Sequence, residues 1–418
     1  MKHKYFVATL ALFSSITSFG ADFRYVGGDI SLFPEYQEAG TQYKDENGNS
    51  IDLLPYLYDL GMNAMRVRLF VNPGAFEAAH PNVYDPNACQ SLPYIIPLCR
   101  DIIDQGFDLM LDFHYSDTWA DPGAQWIPDA WKGLNDKQLE EKVYEYTVET
   151  LLTLEDNGIT PKFIQPGNEI SYGLLWSEYG KDIPGNHVYI NSSEASWDRF
   201  GAFLRSAIKG CREVCPESEI IIHTERASEV NVLTNFYDKM KSLNIDYDII
   251  GLSYYPYFHG NMSVLDNALT SLENRYPDKS IMIVETGFPY AWEIPGSTEK
   301  VDYQYTLEGQ NKFAQELVDT LLEHPNVDGL FWWWLEYNAF GTQLNGWYNA
   351  PLFDSRTGKA TPALKTITSY GTGHAGIESV TKVPASTSDK WFDLNGRIIN
   401  NPSEPGLYIH NHKKVIIK

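Results

Sequence analysis

Two glutamates stand where short apolar runs break, one in Gln165-Pro166-Gly167-Asn168-Glu169 and the other in Val284-Glu285-Thr286-Gly287. The runs leading into them, Phe163-Ile164 and Ile281-Met282-Ile283-Val284, are β-branched or aromatic and bounded by turn residues, the pattern of strands buried on both faces. One glutamate in such a place reads equally well as a solvated loop residue or as a functional one. Two in matching contexts read as paired carboxylates, which is what sugar hydrolysis requires. In a retaining reaction one carboxylic acid protonates the leaving oxygen, and a carboxylate about 5–5.5 Å away attacks the anomeric carbon. Glu169 is expected to be the acid/base and Glu285 the nucleophile.

Such a pair needs elements that bring residues 116 positions apart to one place. Eight strand-like runs supply them: Phe23 to Leu32, Ala64 to Val71, Asp108 to His114, Lys162 to Gln165, Glu219 to His223, Ile249 to Tyr255, Ile281 to Glu285 and Val327 to Trp334. Between them lie segments with apolar positions recurring at three and four, such as Asp136 to Glu155, Ser196 to Val214, Val230 to Leu243, Val264 to Arg275 and Thr306 to Glu323. Regular alternation implies a parallel sheet with right-handed crossovers. Roughly 40 residues per unit favours closure into a (β/α)8 TIM barrel over an open doubly wound sheet. The Gly-rich phosphate fingerprint of that rival is absent, since Gly27-Gly28 opens no helix.

In a barrel the C-terminal strand ends share one face. Arg66 and Arg68, His114, Asn168, His223, Tyr254 and Tyr255, and Trp332 to Trp334 all fall there beside the two glutamates. Arg68 is expected to keep Glu285 ionised, and a tyrosine hydroxyl to orient it. Asn168 can donate to a sugar 2-OH. His114 and His223 can bond sugar hydroxyls or the carboxyls, although a single histidine is more often structural. Trp333 is the candidate sugar floor, with core filling as the rival, because three consecutive strand tryptophans cannot share one face. After the third strand, the loop His114 to Pro122 carries Asp117 and Trp119 and continues to Gln125 and Trp126, an expected groove wall.

Composition agrees with a neutral glycan. The 418 residues carry a formal charge of −23 with no internal basic run, which disfavours nucleic acid and anionic membranes as partners and, more weakly, a polyanionic substrate. The 11 Trp and 27 Tyr make the aromatic content high, which suits stacking on pyranose faces and also simple core filling. Lys2-His3-Lys4, an apolar stretch from Tyr5 to Phe13 and the small polar segment Ser14 to Gly20 fit a cleaved secretory signal over residues 1–21. Export to periplasm or cell exterior is expected, with no membrane span thereafter.

Four cysteines in an exported chain permit disulfides. Cys89 and Cys99 are the expected bridge, while Cys211 and Cys215 suit a strained bridge or free thiols equally well. No zinc-type spacing is present, and Asp45-Glu46-Asn47-Gly48-Asn49 places its glycine wrongly for a calcium loop and reads as a turn. No metal or cofactor is expected, and the chain is expected to be a monomer. Domain boundaries are expected at 22–367 for the barrel, 368–388 for a Gly/Ser/Thr-rich linker and 389–418 for a small β appendage. That last segment resembles the C-terminal tails of many exported bacterial proteins, some of which serve as secretion signals.

The two glutamates, the Arg-x-Arg strand, His114-Tyr115-Ser116-Asp117-Thr118-Trp119-Ala120-Asp121-Pro122, Gly251-Leu252-Ser253-Tyr254-Tyr255-Pro256 and Val67-Arg68-Leu69-Phe70-Val71-Asn72-Pro73 occur in one order. In this the chain resembles the endo-β-1,4-galactanases of glycoside hydrolase family 53, a family of the retaining barrel clan, from about Phe23 to Lys365. The resemblance implies cleavage within β-1,4-galactose chains of type I arabinogalactan and pectin. It matches the acid/base to Glu169, the nucleophile to Glu285 and the orienting tyrosine to Tyr255 ahead of Tyr254. Two departures stand out: Phe70 replaces the family's usual Trp, and Trp332-Trp333-Trp334-Leu335 replaces Tyr-Trp-Glu-Pro. A β-mannanase or cellulase of the same clan, or a catalytically silent glycan-binding barrel, are the rival readings.

Overall fold

The computed structural model describes residues 24–340, 342 and 350–372, together with four C-terminal strands. Eight strands close a barrel: β1 (Tyr25–Asp29), β2 (Ala64–Leu69), β3 (Asp108–Phe113), β4 (Phe163–Pro166), β5 (Glu219–Thr224), β6 (Ile249–Tyr254), β7 (Ser280–Thr286) and β8 (Val327–Trp332). Neighbours pair in parallel and in chain order, and β1 pairs with both β2 and β8 to close the ring. The expected (β/α)8 fold is therefore the one observed.

Each strand is followed by a helix: α1 (Leu53–Asp59), α2 (Leu92–Gln105), α3 (Asp136–Asp156), α4 (Glu194–Val214), α5 (Val230–Ser242), α6 (Met262–Arg275), α7 (Leu307–Leu322) and α8 (Pro362–Thr372). Local chemistry sets their ends. Asn135 and Gln138 form a reciprocal capping box at the start of α3, and Gly106 ends α2 at φ 102°. Buried Leu139, Val143, Thr147, Leu151 and Leu154 form the inward stripe of α3, spaced by three or four. Gly210 of α4 lets the two helices approach, since a Cβ there would sit 3.0 Å from Thr147.

Period-two alternation sorts the barrel interior into layers. The lower layer is apolar, with Ala64, Met110, Phe163, Ile221, Ile249, Met282, Val284 and Phe331 packed together. Two residues further along several strands the inward positions turn polar: Arg66, Asp112, Gln165 and His223, all buried. The site rests on that second layer. In β7 the register with β6 passes from Leu252–Ile283 to Ser253–Glu285, leaving Val284 as an extra residue and setting Glu285 beside Ser253.

Three expectations need correction or confirmation here. All four cysteines are free thiols, so Cys89 and Cys99 form no bridge. Cys99 faces the main core from α2, whereas Cys89 packs in a separate cluster with Leu32, Tyr36 and Trp334, so the two thiols look into different surroundings. The segment Asp45 to Asn49 is a hairpin turn, held by Asn49 N donating to Asp45 Oδ1 at 2.8 Å, with Gly48 at φ 92°. The linker cannot begin at 368, because α8 continues to Thr372 and buries Thr368 and Tyr370.

Among the described residues no helix is long and apolar enough to cross a membrane. The C-terminal strands β9 (Trp391–Phe392), β10 (Ile398–Ile399), β11 (Gly406–His410) and β12 (Lys413–Ile417) form an antiparallel sheet in the order β10-β9-β11-β12, a unit of its own. The expected signal segment and most of the linker lie outside the described residues.

Candidate active site

At the C-terminal end of the barrel lies a cavity of about 590 Å³ that holds both Glu169 and Glu285 in its wall. Each is presented differently. β4 ends at Pro166, Gly167 turns at φ 113°, and Glu169 itself is held in the left-handed region at φ 47°. A non-glycine residue there is strained by about 1–3 kcal/mol, which the surrounding bonds must offset. Glu285 is the penultimate residue of β7 and needs no such turn.

The cation beside Glu285 is Arg66, where Arg68 was expected. Arg66 is wholly buried and reaches Glu285 Oε1 at 2.8 Å, Asp112 Oδ2 at 2.8 Å, Asp29 Oδ2 at 3.2 Å and the Asn168 amide oxygen at 2.9 Å. Arg68 pairs with Asp29 Oδ1 at 2.7 Å, and its guanidinium lies 4.9 Å from the Trp119 ring centre and 5.3 Å from that of Trp334. The two arginines share a strand face, but two residues of strand separate them by about 6.6 Å, and the shallower one is spent on the tryptophans. Tyr255 Oη donates to Glu285 Oε2 at 3.1 Å, so both carboxylate oxygens are held.

Glu169 has a different set of neighbours. Gln165 Nε2 and, more weakly, the Glu169 backbone N–H point at His223 Nδ1, at 2.9 and 3.3 Å, which makes Nδ1 the acceptor. His223 Nε2–H then donates to Ser253 Oγ at 2.8 Å, and Ser253 donates to Glu169 Oε1 at 2.6 Å. Burial, with Arg66 close by, drives the His223 pKa well below the ordinary histidine value, so the ring stays neutral and the chain keeps one direction.

The electrostatics separate the two glutamates. Burial raises both. For Glu285 the Arg66 charge and the Tyr255 hydroxyl oppose the rise, whereas Glu169 is driven well above the usual carboxylate range by burial and then further by the charges of Glu285 and Glu225. Burial would raise Asp112 too, but Arg66 and His114 hold it below its ordinary value. Glu169 is thus the group that keeps its proton while Glu285 gives its up.

Of the other expected residues, His114, Trp119, Asn168, Tyr255 and Trp333 all line the cavity. His114 Nδ1 accepts from Ala120 N at 3.1 Å, which fixes its ring, and Asn168 donates to Ala120 O at 2.8 Å. His223 lies below, buried, and acts through Ser253. Tyr254 points away from the cavity and donates to Gly260 O at 2.9 Å, because alternate residues of β6 face opposite sides. Asp117 braces its loop by accepting from Asn72 N and Asp129 N at 2.9 and 2.7 Å and is not in the cavity wall. Gln125 supports Asn168 O at 2.9 Å, and Trp126 packs on Trp176 and Tyr179, so neither forms the wall expected of them. Arg66 was placed at the strand ends but given no role, as was Trp334, while Ser253 and Glu225 were missed. Arg66, Ser253 and Glu225 share inward parity with Arg68, Tyr255 and His223, a signal present in the sequence.

Replacing Arg66 by Met is expected to destabilise the fold by about 3–5 kcal/mol, because Asp29, Asp112 and Glu285 would lose the cation they share. Urea unfolding of the two proteins would measure it, and a midpoint unchanged from the parent would refute the network as drawn.

Among the described residues no cluster of His, Cys, Asp and Glu could hold a metal ion. Comparison with known proteins gives a consistent result. The profile of Glycosyl hydrolase family 53 matches residues 25–367. A probable arabinogalactan endo-β-1,4-galactanase A from Neosartorya fischeri is 31% identical over 337 residues, covering 77% of this chain and 87% of that protein. The solved catalytic domain of an Ignisphaera aggregans GH53 protein superposes with a TM-score of 0.69 at 31% identity, covering 84% of this chain and 97% of that one. A structure of fungal β-1,4-galactanases gives 0.67 at 27% identity, over 82% and 99%.

Proposed function

The chain belongs to glycosyl hydrolase family 53, and from that premise we propose that it hydrolyses β-1,4-galactosidic bonds within galactan chains, such as those of type I arabinogalactan and pectin, with retention at the anomeric carbon. The observation that carries the mechanism is the contrast between two carboxylates in one cavity, Glu285 held by Arg66 and Tyr255, Glu169 held by Ser253 and facing further acids.

In the first step a Glu285 carboxylate oxygen attacks C1 of the galactosyl unit, the C1–O bond breaks, and Glu169 gives its proton to the departing oxygen. In the second, Glu169, now a carboxylate, takes a proton from water as the water oxygen attacks C1, and Glu285 leaves as a carboxylate. Ser253 donates to Oε1 of Glu169, which leaves Oε2 to carry the proton. As Glu169 becomes charged the same bond shortens in effect, because a hydrogen bond to an ion is stronger. Asn168 keeps one amide hydrogen for a sugar hydroxyl, and Trp333 offers an aromatic face in the cavity wall.

Export is supported by the charged and then apolar N-terminus, which also suggests that the working enzyme begins near residue 22. The substrate is tested by reducing-sugar release from debranched β-1,4-galactan, with β-mannan and carboxymethylcellulose in parallel. Release from galactan alone is expected. Release from another glycan would replace the substrate and keep the chemistry, and silence on all three would remove the enzymatic reading.

A further inference from the structure

Besides Glu285, the cavity wall contains a second buried carboxylate, one that the two-step reaction leaves idle. Glu225 is 8% exposed and lies in the cavity wall, on the loop after β5. One oxygen is fully engaged: Ser171 Oγ donates to Oε1, and Arg226 Nε reaches the same atom at 2.9 Å. Among the described residues nothing hydrogen-bonds Oε2, which is packed out of reach of solvent and meets the cavity only when the carboxyl turns. A buried carboxylate oxygen left in that state is costly unless something supplies a donor.

Its frame is rigid. Arg226 stacks 4.1 Å above the Tyr172 ring and pairs with Glu229 at 2.8 Å, and His259, which accepts from Tyr255 N at 2.9 Å, hydrogen-bonds the Glu225 backbone. Position assigns the side of the cleft. The loops after β2, β3 and β8 bring Asp85, Trp119 and Trp334 to one end of the cavity, and those after β5 and β6 bring Glu225, Tyr257 and Phe258 to the other. Glu225 is near enough to Glu169 for its charge to raise that group. The sugar over Glu169 is the one that leaves, because Glu169 protonates its oxygen.

Resting on the galactanase reading above, we propose that Glu225 is a specificity-determining residue whose carboxyl turns into the cavity to bind a hydroxyl of the leaving-group sugar, with Tyr257 and Phe258 as the apolar wall of the same subsite. Burial lifts the Glu225 carboxyl to about 7, against the lowering pull of Arg226 and Ser171, so near neutrality it meets a sugar hydroxyl as donor or acceptor. Beyond holding the departing unit, the same bond favours an incoming sugar over water when the glycosyl-enzyme breaks down.

The test compares two substrates that share the glycosyl part and differ in what leaves: β-1,4-galactotetraose, whose leaving group is a sugar, and an aryl β-galactobioside, whose leaving group has no sugar hydroxyls. For Glu225→Ala the fall in kcat/KM on the oligosaccharide should exceed that on the aryl glycoside by about 10- to 100-fold, and the yield of transfer to added galactobiose should drop. Glu225→Gln, which keeps the shape and one donor, should restore part of the difference. Equal losses on both substrates would overturn the proposal in favour of a purely structural or charge-tuning role, and so would no loss on either. The aryl reaction also checks that each variant is folded. If the parent enzyme cleaves a different β-1,4-glycan, the galactan reading fails, and the same comparison with that glycan's oligosaccharide still decides Glu225.

Discussion

Glu285→Gln should reduce hydrolysis of galactan by about 10⁴-fold or more while the protein still binds the polymer. The amide is nearly isosteric, so Tyr255 and Arg66 keep something to touch, but it has no anionic oxygen to attack C1, and no covalent intermediate can form. Binding survives because the groove wall, with Trp119, Trp333 and the Glu225 side, is untouched. The change also leaves Arg66 with Asp29 and Asp112 as its remaining carboxylates, so the network stays paired. Calorimetric titration with galactotetraose beside reducing-sugar assays would separate the two effects. Activity within tenfold of the parent would dismiss Glu285 as nucleophile, and loss of binding together with activity would mean that the substitution had disturbed the cavity.

Much of this arrangement was legible in the sequence, and the reasons differ from residue to residue. The strand runs stood out because a strand buried on both faces is nearly continuous in apolar character, and the strand-end rule then brought Glu169 and Glu285 together without any knowledge of contacts. Depth was not legible. Arg66 and Arg68 have the same parity on β2, and only the stagger of the strands decides that the deeper one reaches Glu285. Parity itself was under-used. In β6, Gly251, Ser253 and Tyr255 alternate with Leu252 and Tyr254, which assigns Ser253 to the site and Tyr254 to the helix layer. The run of three tryptophans that ends β8 breaks the alternation, because Trp334 turns into the left-handed region at φ 56°. Trp332 is therefore buried, donating to Ala350 O at 2.5 Å, while both Trp333 and Trp334 reach the cavity. Cys89 and Cys99 show the limit of spacing as an argument, since sequence distance does not tell which way a helix turns a side chain.

Glu169→Ala should act in proportion to how badly the leaving group needs a proton. On galactan, whose departing alkoxide is strongly basic, turnover should fall by about 10²–10⁴-fold, the usual contribution of a general acid. On an aryl galactobioside with an activated phenol the first step needs little help, and the second step, which lacks its base, becomes limiting. Added azide needs no deprotonation to attack C1 and fits the space the carboxyl vacates, so it should restore turnover and yield a β-galactosyl azide. The pH profile should change with it. Glu169 is raised well above the usual carboxylate range by burial and by Glu285 and Glu225, so in the parent it should set the alkaline limb, where activity is lost as pH rises through that pKa, while protonation of Glu285 should set the acid limb. Without Glu169 the alkaline limb should vanish and the acid limb remain. Ser253→Ala provides the intermediate case. It removes the bond that favours the charged form of Glu169, so the alkaline limb should move to higher pH while the acid limb set by Glu285 stays in place. An unchanged alkaline limb in Glu169→Ala, or no azide adduct, would transfer the acid role to another group, for which Glu225, the remaining buried acid in the cavity wall, would be the first to examine.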